Sequence, residues 1–336
     1  MRLGAHQSIE GGLDRAVVRA REAGCEVLQV FTRNSNQWKA KSLAPEEIAR
    51  FKESLARERI GGVASHGSYL INMASPDEVL YRRSVDAFGL ELDRCEALGI
   101  PSLILHPGSH LGTGVEAGTA RIVAALDEAL GARPGAATRV LLEVWAGQGH
   151  TIGGRFEEIG EILARVRDPG RIGVCFDTCH AFAAGYDLRT RAGYDETFAS
   201  FDRAIGIGKI AAFHLNDSKA ELGCRLDRHE HIGKGWIGLE AFRLLLNDPR
   251  FADVPKYLET PKGPDLAEDI ENLAALRALI GREDAIAWAP PPGAAARAKR
   301  ARPEADPRQM TLGEVAEAGD PEPGPQDSAP PRNGLR

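Results

Sequence analysis

Five apolar runs in this chain each stop on a side chain that can bind a metal ion: Leu103-Ile104-Leu105-His106, Val140-Leu141-Leu142-Glu143, Ile172 to Asp177, Ile210 to His214 and Tyr257-Leu258-Glu259. His66 follows another apolar run, His180 lies three residues beyond Asp177, and Asp227-Arg228-His229 follows the run that ends at His214. These nine candidates comprise five histidines, two aspartates and two glutamates. Imidazole and carboxylate are the donors that zinc, manganese or iron accept in a hydrolytic site. A catalytic zinc takes about three protein ligands plus water, so this set, with one carboxylate shared, suffices for three ions. Without cations, ionised acids gathered in one small volume would each cost several kcal/mol. With three divalent ions, positive charge would exceed that of Glu143, Asp177, Asp227 and Glu259 together, and the pocket would attract an anion such as a phosphate diester.

Such a gathering needs a scaffold that brings strand ends together. An apolar run of four to six residues reads as a buried parallel strand. Strands are expected near Leu3–His6, Val27–Phe31, Ile60–Ser65, Ser102–His106, Arg139–Glu143, Ile172–Asp177, Ile210–His214 and Lys256–Glu259. Helical patterns intervene near Leu13–Ala23, Pro45–Arg59, Asp77–Leu98, Val115–Leu130, Phe156–Val166, Glu196–Ile205 and Leu239–Leu246, with a last one near Leu266–Leu279. Eight strand–helix units over about 280 residues predict an α/β protein with a single (β/α)8 TIM barrel, which keeps its chemistry at the C-terminal ends of its strands. A doubly wound open sheet would draw ligands from few strands, whereas at least five contribute here.

The bulk properties agree with that frame. A chain of 336 residues, 43% of them hydrophobic, can bury a sizeable core. The first residues do not resemble a signal peptide and no apolar stretch approaches membrane-spanning length, so a cytoplasmic protein without a membrane partner is expected. The five cysteines include no C-x-x-C pair, which points to reduced, mostly buried thiols rather than disulfides or a Cys-rich zinc site. A net charge of −6 excludes nucleic-acid binding through a bulk positive field but not through a local one. From Pro290 the composition changes, with ten of the twenty prolines in the last 47 residues. Residues 1–285 are therefore read as the catalytic domain and 286–336 as a Pro/Ala-rich disordered tail. Within the tail, Arg297 to Arg302 is locally basic. Gln309-Met310-Thr311-Leu312 resembles the short Gln-x-x-Leu peptides by which bacterial repair and replication proteins dock on the sliding clamp.

Longer segments carry a family resemblance. Gly4-Ala5-His6, His66-Gly67-Ser68-Tyr69-Leu70-Ile71-Asn72, His106-Pro107-Gly108-Ser109-His110, the run from Asp177 through Thr178-Cys179-His180 to Asp187, His214-Leu215-Asn216-Asp217-Ser218 and Asp227-Arg228-His229 occur in order between Met1 and Leu279. Together they resemble endonuclease IV, the zinc-dependent apurinic/apyrimidinic endonucleases of base excision repair. The resemblance implies three Zn2+, with Mn2+ tolerated at some sites. Glu143 would bridge two ions, His66 and His106 completing the first and Asp177, His214 and Glu259 holding the second, while His180, Asp227 and His229 would hold the third. Glu143 and Glu259 would then be the catalytic carboxylates, Glu259 also orienting the nucleophile. The implied reaction is hydrolysis of the phosphodiester 5′ to an abasic site in double-stranded DNA, leaving a 3′-hydroxyl, by a monomer.

His6 and His110 are expected to orient the ligands from outside or to touch phosphate. Tyr69 and the stretch Asn34-Ser35-Asn36-Gln37-Trp38 resemble the family's DNA-penetrating elements, with Asn36, Gln37 and Trp38 as DNA contacts. The plainer alternative is that Trp38 and Tyr69 only cap the barrel. Some relatives carry an arginine where Asn36 stands, and a small polar pair where this chain has Val144-Trp145. Two rival readings stay open. A metal-dependent sugar isomerase or epimerase on the same barrel accounts for Glu143, Asp177, His214 and Glu259 but has no use for the other five. A non-catalytic DNA- or clamp-binding protein with structural metal suits the tail but not an open polar cluster at a barrel mouth.

Overall fold

The alternation of strands and helices closes on itself. The computed structural model describes residues 2–263 and 265–291. In it, eight parallel strands form a closed barrel: β1 (Leu3–Gln7), β2 (Val27–Phe31), β3 (Val63–His66), β4 (Ser102–Leu105), β5 (Arg139–Glu143), β6 (Ile172–Asp177), β7 (Ile210–His214) and β8 (Lys256–Leu258). β1 closes the ring on β8, with Leu3 opposite Lys256.

The interior explains the site. Val27, Ala64, Ile104, Leu141, Cys175, Ala212 and Tyr257, one from each of β2 to β8, form an apolar cluster of their own. Side chains alternate across a strand, so the residue two positions further along points the same way. Those residues are Gln29, His66, His106, Glu143, Asp177, His214 and Glu259. One apolar layer therefore plugs the barrel, and the next layer up is a ring of polar groups at the C-terminal end. β1 supplies no side chain at the lower level, because a Cβ on Gly4 would lie 1.8 Å from the Val27 carbonyl oxygen.

Outside the strands lie α1 (Leu13–Glu22), α2 (Pro45–Glu58), α3 (Glu78–Leu98), α4 (Val115–Gly131), α5 (Phe156–Arg165), α6 (Thr178–Ala184), α7 (Arg191–Ala204), α8 (Leu239–Leu246) and α9 (Ala267–Arg277). Their apolar residues recur at helical spacing, as in Leu13, Ala16, Val17 and Ala20 of α1, and cover the outer faces of the strands.

Three local features differ from the sequence reading. The strand expected from Ile60 begins at Val63, because Arg59 takes a left-handed conformation (φ 56°) that closes α2 and leaves Ile60 donating its N–H to the Leu55 carbonyl. α7 starts at Arg191 rather than Glu196, since the Thr190 hydroxyl accepts from the Gly193 N–H at 3.1 Å. α6 has no counterpart among the expected helices: Asp177 ends β6 and at once caps the next helix, accepting from the His180 N–H at 2.8 Å.

The expected domain boundary at 285/286 falls inside a packed segment. The Ile286 N–H donates to Glu240 Oε2 at 2.8 Å, and the Trp288 indole N–H donates to the Trp236 carbonyl at 2.9 Å. Arg297 to Arg302 and Gln309 to Leu312 lie outside the described residues. Among the described residues no helix is long and apolar enough to cross a membrane.

Candidate metal centre

The structure brings all nine candidate ligands to the barrel mouth. Glu143, fully buried, stands at the centre. His66 Nε2 and His106 Nε2 lie 3.1 and 3.2 Å from its Oε2, and His214 Nδ1 and His180 Nδ1 lie 2.9 and 3.2 Å from its Oε1. His214 Nδ1 is also 3.3 Å from Glu259 Oε2 and 3.7 Å from Asp177 Oδ2. Asp227 Oδ1 sits 3.3 Å from both His180 Nε2 and His229 Nε2. Four groupings of potential donor atoms result, each within 4.8 Å: His66, His106 and Glu143; Glu143, Asp177, His214 and Glu259; His180, Asp227 and His229; and Asp177, Cys179 and His229, which alone includes a thiol.

Hydrogen bonds on the far side of the rings settle which nitrogen carries a proton. A backbone carbonyl can only accept, so His66 Nδ1 donates to the Gly67 carbonyl at 2.8 Å, His180 Nδ1 to that of Val144 at 3.0 Å and His229 Nδ1 to that of Glu259 at 3.1 Å. His214 Nε2 donates to Gln29 Oε1 at 2.8 Å, because the Gln29 amide nitrogen is committed to Glu259 Oε1 at 2.6 Å. Four rings thus turn their second nitrogen towards carboxylate oxygens. In a neutral ring that nitrogen is a lone pair, and two lone pairs repel unless a cation or a proton lies between them.

The electrostatics follow the same logic. Burial disfavours charge on Glu143 and Glu259, yet the His214 imidazole beside both, joined by His106 at Glu143 and His6 at Glu259, holds each carboxyl well below the usual range. Burial likewise opposes protonation of His180 and His214, but Asp177 and Asp227 raise the first, and Glu259 and Glu143 help raise the second, well above the ordinary imidazole value. Such a cluster exchanges protons for metal cations and releases protons when it does so.

Sequence reasoning missed the residues that hold this ring in place. Gln29, fully buried on β2, touches His214, Glu259 and, at 2.9 Å, His6 Nδ1. Its signal was its register, two residues beyond inward-facing Val27. The Asn216 amide donates to Asp177 Oδ2 at 2.8 Å and its carbonyl accepts the Glu259 N–H at 2.9 Å, locking two ligands from different strands together. Cys179 lies near Asp177 and His229, but burial pushes its thiol well above the usual range and its Sγ donates to the Arg228 carbonyl at 3.5 Å. A neutral thiol is a poor ligand.

The two histidines expected outside the ring differ. His6 accepts from Gln29, stands 3.6 Å from Glu259 Oε1, and is kept neutral by burial. His110 accepts at Nδ1 from the N–H groups of Gly112 and Gly114, at 3.2 and 2.9 Å, and so holds its own loop. The departure at Val144-Trp145 leaves the ring intact. Val144 contributes a carbonyl that any residue would supply, and the Trp145 ring stacks on His106 with centroids 4.2 Å apart.

The residues expected to contact DNA border the mouth. Tyr69, 39% exposed, has its ring 5.6 Å from that of His66 and 6.2 Å from that of His106. Asn36 and Gln37 are exposed, while Trp38 is half-buried beneath the Arg83 guanidinium at 4.5 Å. Their loop is held from below. Arg33 donates to the Gln37 carbonyl and, through Nε, to Glu91 Oε1 at 2.8 Å, and the Thr32 hydroxyl donates to Glu91 Oε2 at 2.9 Å. Glu91 is buried on α3, so Glu91→Gln leaves the Arg33 charge without its counter-charge in a dry site. A loss of about 2 kcal/mol in urea denaturation is expected, with faster amide exchange over residues 33–38. An unchanged midpoint and unchanged exchange would contradict this account of the loop.

Comparison with known proteins agrees with this fold. A family model described as xylose isomerase-like TIM barrel, named for AP endonuclease family 2, matches residues 17–279. "Probable endonuclease 4" of Chloroflexus aurantiacus is 50% identical over 279 residues, 83% of this chain and 98% of that protein. The protein of the same name from Geobacter sp. strain M21 is 51% identical over 278 residues, again 83% and 98%. Among solved structures, endonuclease IV from Thermus thermophilus superposes with a TM-score of 0.73 at 35% identity, over 83% of this chain and 98% of that one. A D-tagatose 3-epimerase-like protein, at 18% identity and a TM-score of 0.65 over 83% and 97% of the two chains, shares the fold alone. With half of all positions identical over the whole barrel, the chain belongs to the endonuclease IV family.

Proposed function

We propose that this protein is a DNA-repair hydrolase that cleaves the phosphodiester 5′ to an abasic site in duplex DNA and leaves a 3′-hydroxyl, with three divalent ions, zinc first among them, at the barrel mouth. The supporting observation is the ring of imidazoles whose outer nitrogens are committed as donors and whose inner nitrogens face carboxylates. The residues fit such ions: His180 Nε2 and His229 Nε2 are buried without a hydrogen-bond partner among the described residues. His66, His106 and Glu143 would hold one ion, Glu143, Asp177, His214 and Glu259 a second, and His180, Asp227 and His229 a third. Bound there, the ions supply the positive charge that polarises a phosphodiester and lowers the pKa of a water to about 7.

The chain's own groups do the positioning. Glu259 has Oε1 occupied by the Gln29 amide, which leaves Oε2, 3.3 Å from His214 Nδ1, to face an ion or orient a water. Gln29 and Asn216 keep Glu259 and Asp177 from turning away. Tyr69, with Asn36, Gln37 and Trp38 on the adjacent loop, would fill the duplex where the abasic nucleotide leaves the stack. The sugar-isomerase reading leaves His66, His106, His180, Asp227 and His229 without work, so the nuclease reading is preferred. We further propose that the protein acts as a cytoplasmic monomer, and that Gln309–Leu312 docks on the sliding clamp. Deleting 305–336 should then abolish capture by immobilised clamp.

The purified protein should carry about three zinc equivalents by mass spectrometry and incise a duplex with one abasic site, giving an end that a polymerase extends. One or two metals with turnover of a ketose instead would favour the isomerase reading. Metal without turnover of either substrate would leave a structural role.

A further inference from the structure

We propose that Trp145 is a positioning residue for His106: its indole face does for that imidazole what hydrogen bonds do for the other four, and so slows loss of the ion that His66, His106 and Glu143 would hold. This rests on the ion groupings proposed above. His66, His180, His229 and His214 each have one ring nitrogen committed as a donor to a backbone or amide carbonyl. His106 differs. Its Nε2 lies 3.2 Å from Glu143 Oε2, but among the described residues its Nδ1 has no hydrogen-bond partner. A ligand ring without such a partner turns about its own side-chain bonds unless packing stops it.

Packing stops it here. The Trp145 ring lies against His106 with centroids 4.2 Å apart and planes 21° from parallel, whereas the Tyr69 ring is 6.2 Å away and the His66 ring meets His106 edge-on at 5.2 Å. The backbone holds the stack rigid. The Val144 N–H donates to the Cys175 carbonyl on β6 at 3.0 Å, and the Trp145 N–H donates to the Gly153 carbonyl at 2.9 Å. Gly153 in turn packs so closely on Pro107, the residue after His106, that a Cβ there would lie 3.1 Å from Pro107 Cγ. One turn thus fixes both rings. Trp145 is 7% exposed, and its indole N–H is buried with no hydrogen-bond partner among the described residues. A buried indole usually finds an acceptor, so this one sits where its face is needed rather than where its N–H would be satisfied. The indole face is electron-rich, and an imidazole that shares its lone pair with a cation is electron-poor, so the stack is stronger with the ion bound than without it.

The test is release of zinc from the purified full-length holoprotein to an excess of a chromophoric chelator, followed phase by phase. Trp145→Leu keeps apolar bulk and removes the π face, while Trp145→Phe keeps a smaller face. In Trp145→Leu one phase should run about tenfold faster, as expected when a group that orients a ligand is lost, while the others keep their rates. Trp145→Phe should restore most of the difference. In the parent chain tryptophan emission should change during that same phase, and in Trp145→Phe that change should be missing, a signature that a merely structural side chain would not give. Parent rates in every phase of Trp145→Leu would overturn the proposal, as would equal acceleration of all phases, or an emission change in Trp145→Phe that matches the parent's. The emission comparison needs only Trp145→Phe, so it decides the matter even where Trp145→Leu does not fold. Failure of the ion groupings is distinguishable, because it shows as a parent chain that carries no metal. Deuterium exchange at the His106 ring C2–H of the metal-free protein, read by mass spectrometry, then judges the stack: faster exchange in Trp145→Leu than in the parent supports it, and equal exchange overturns it.

Discussion

Glu143→Gln is expected to lower incision of an abasic duplex by roughly three orders of magnitude, about 4 kcal/mol of transition-state stabilisation, while the fold survives. The size of the effect comes from position. Both oxygens of Glu143 are engaged, Oε2 with two imidazoles and Oε1 with two more, and among the described donor groupings that contain no thiol it is the one carboxylate that two of them share. Glutamine keeps the shape, and its oxygen can still accept, but its amide nitrogen places donors where an anionic bridge is required. Two of the proposed ions would then lose a ligand together, and with it the negative charge that would let them approach each other. The apolar layer below, with Leu141 on the same strand, is untouched, so circular dichroism and thermal midpoint should stay close to those of the parent chain. Metal content should fall by more than one equivalent. A Glu143→Gln variant that retained full rate with full metal content would remove the assignment of the bridging group.

The fold was legible because a buried parallel strand leaves an apolar run with a sharp end. Val27–Phe31, Arg139–Glu143, Ile172–Asp177 and Ile210–His214 are expected and observed with the same bounds. The metal-type residues were legible for a related reason: each stands at or just beyond the polar end of such a run. Gln29 was not, because an amide inside the run Val27-Leu28-Gln29-Val30 resembles an interruption rather than a function. Only the inward register of Val27 and the closure of the barrel turn it towards His214. α6 escaped because its cap, Asp177, also ends a strand as a metal-type residue, and a side chain whose two oxygens serve two purposes leaves one signal in a sequence. The packed segment at 286–288 escaped because composition changes near Pro290 and says nothing of Ile286 and Trp288, whose partners lie far back in the chain, on α8 and before it.

Asp217→Ala should unfold the third ligand group without touching any of its members. The Asp217 carboxylate is fully buried and accepts five backbone N–H groups: Ser218 and Ile237 on Oδ1 at 2.7 and 2.8 Å, and Gly233, Gly235 and Gly238 on Oδ2 at 3.0, 3.1 and 3.2 Å. A loop of this kind has no ladder to satisfy its own backbone, so the carboxylate takes the place of a strand. Asp217 itself pairs with Glu230 in the short antiparallel ladder that carries His229, and the chain between them contains Asp227. Gly235 fits only because it has no side chain, since a Cβ would come 2.4 Å from Asp217 Oδ1. Alanine at 217 strands all five donors in a dry site, and water cannot follow without opening the loop. A loss of about 4 kcal/mol is expected, a fall of roughly 10 °C in thermal midpoint. Metal content should drop by about one equivalent as His229 and Asp227 separate. Asp217→Asn, which keeps one acceptor oxygen and sets an amide against the remaining N–H groups, should fall between the parent chain and the alanine variant. If Asp217→Ala melted within a degree of the parent chain, the 233–238 loop would have to be held by something other than this carboxylate, and the third grouping could not owe its geometry to it.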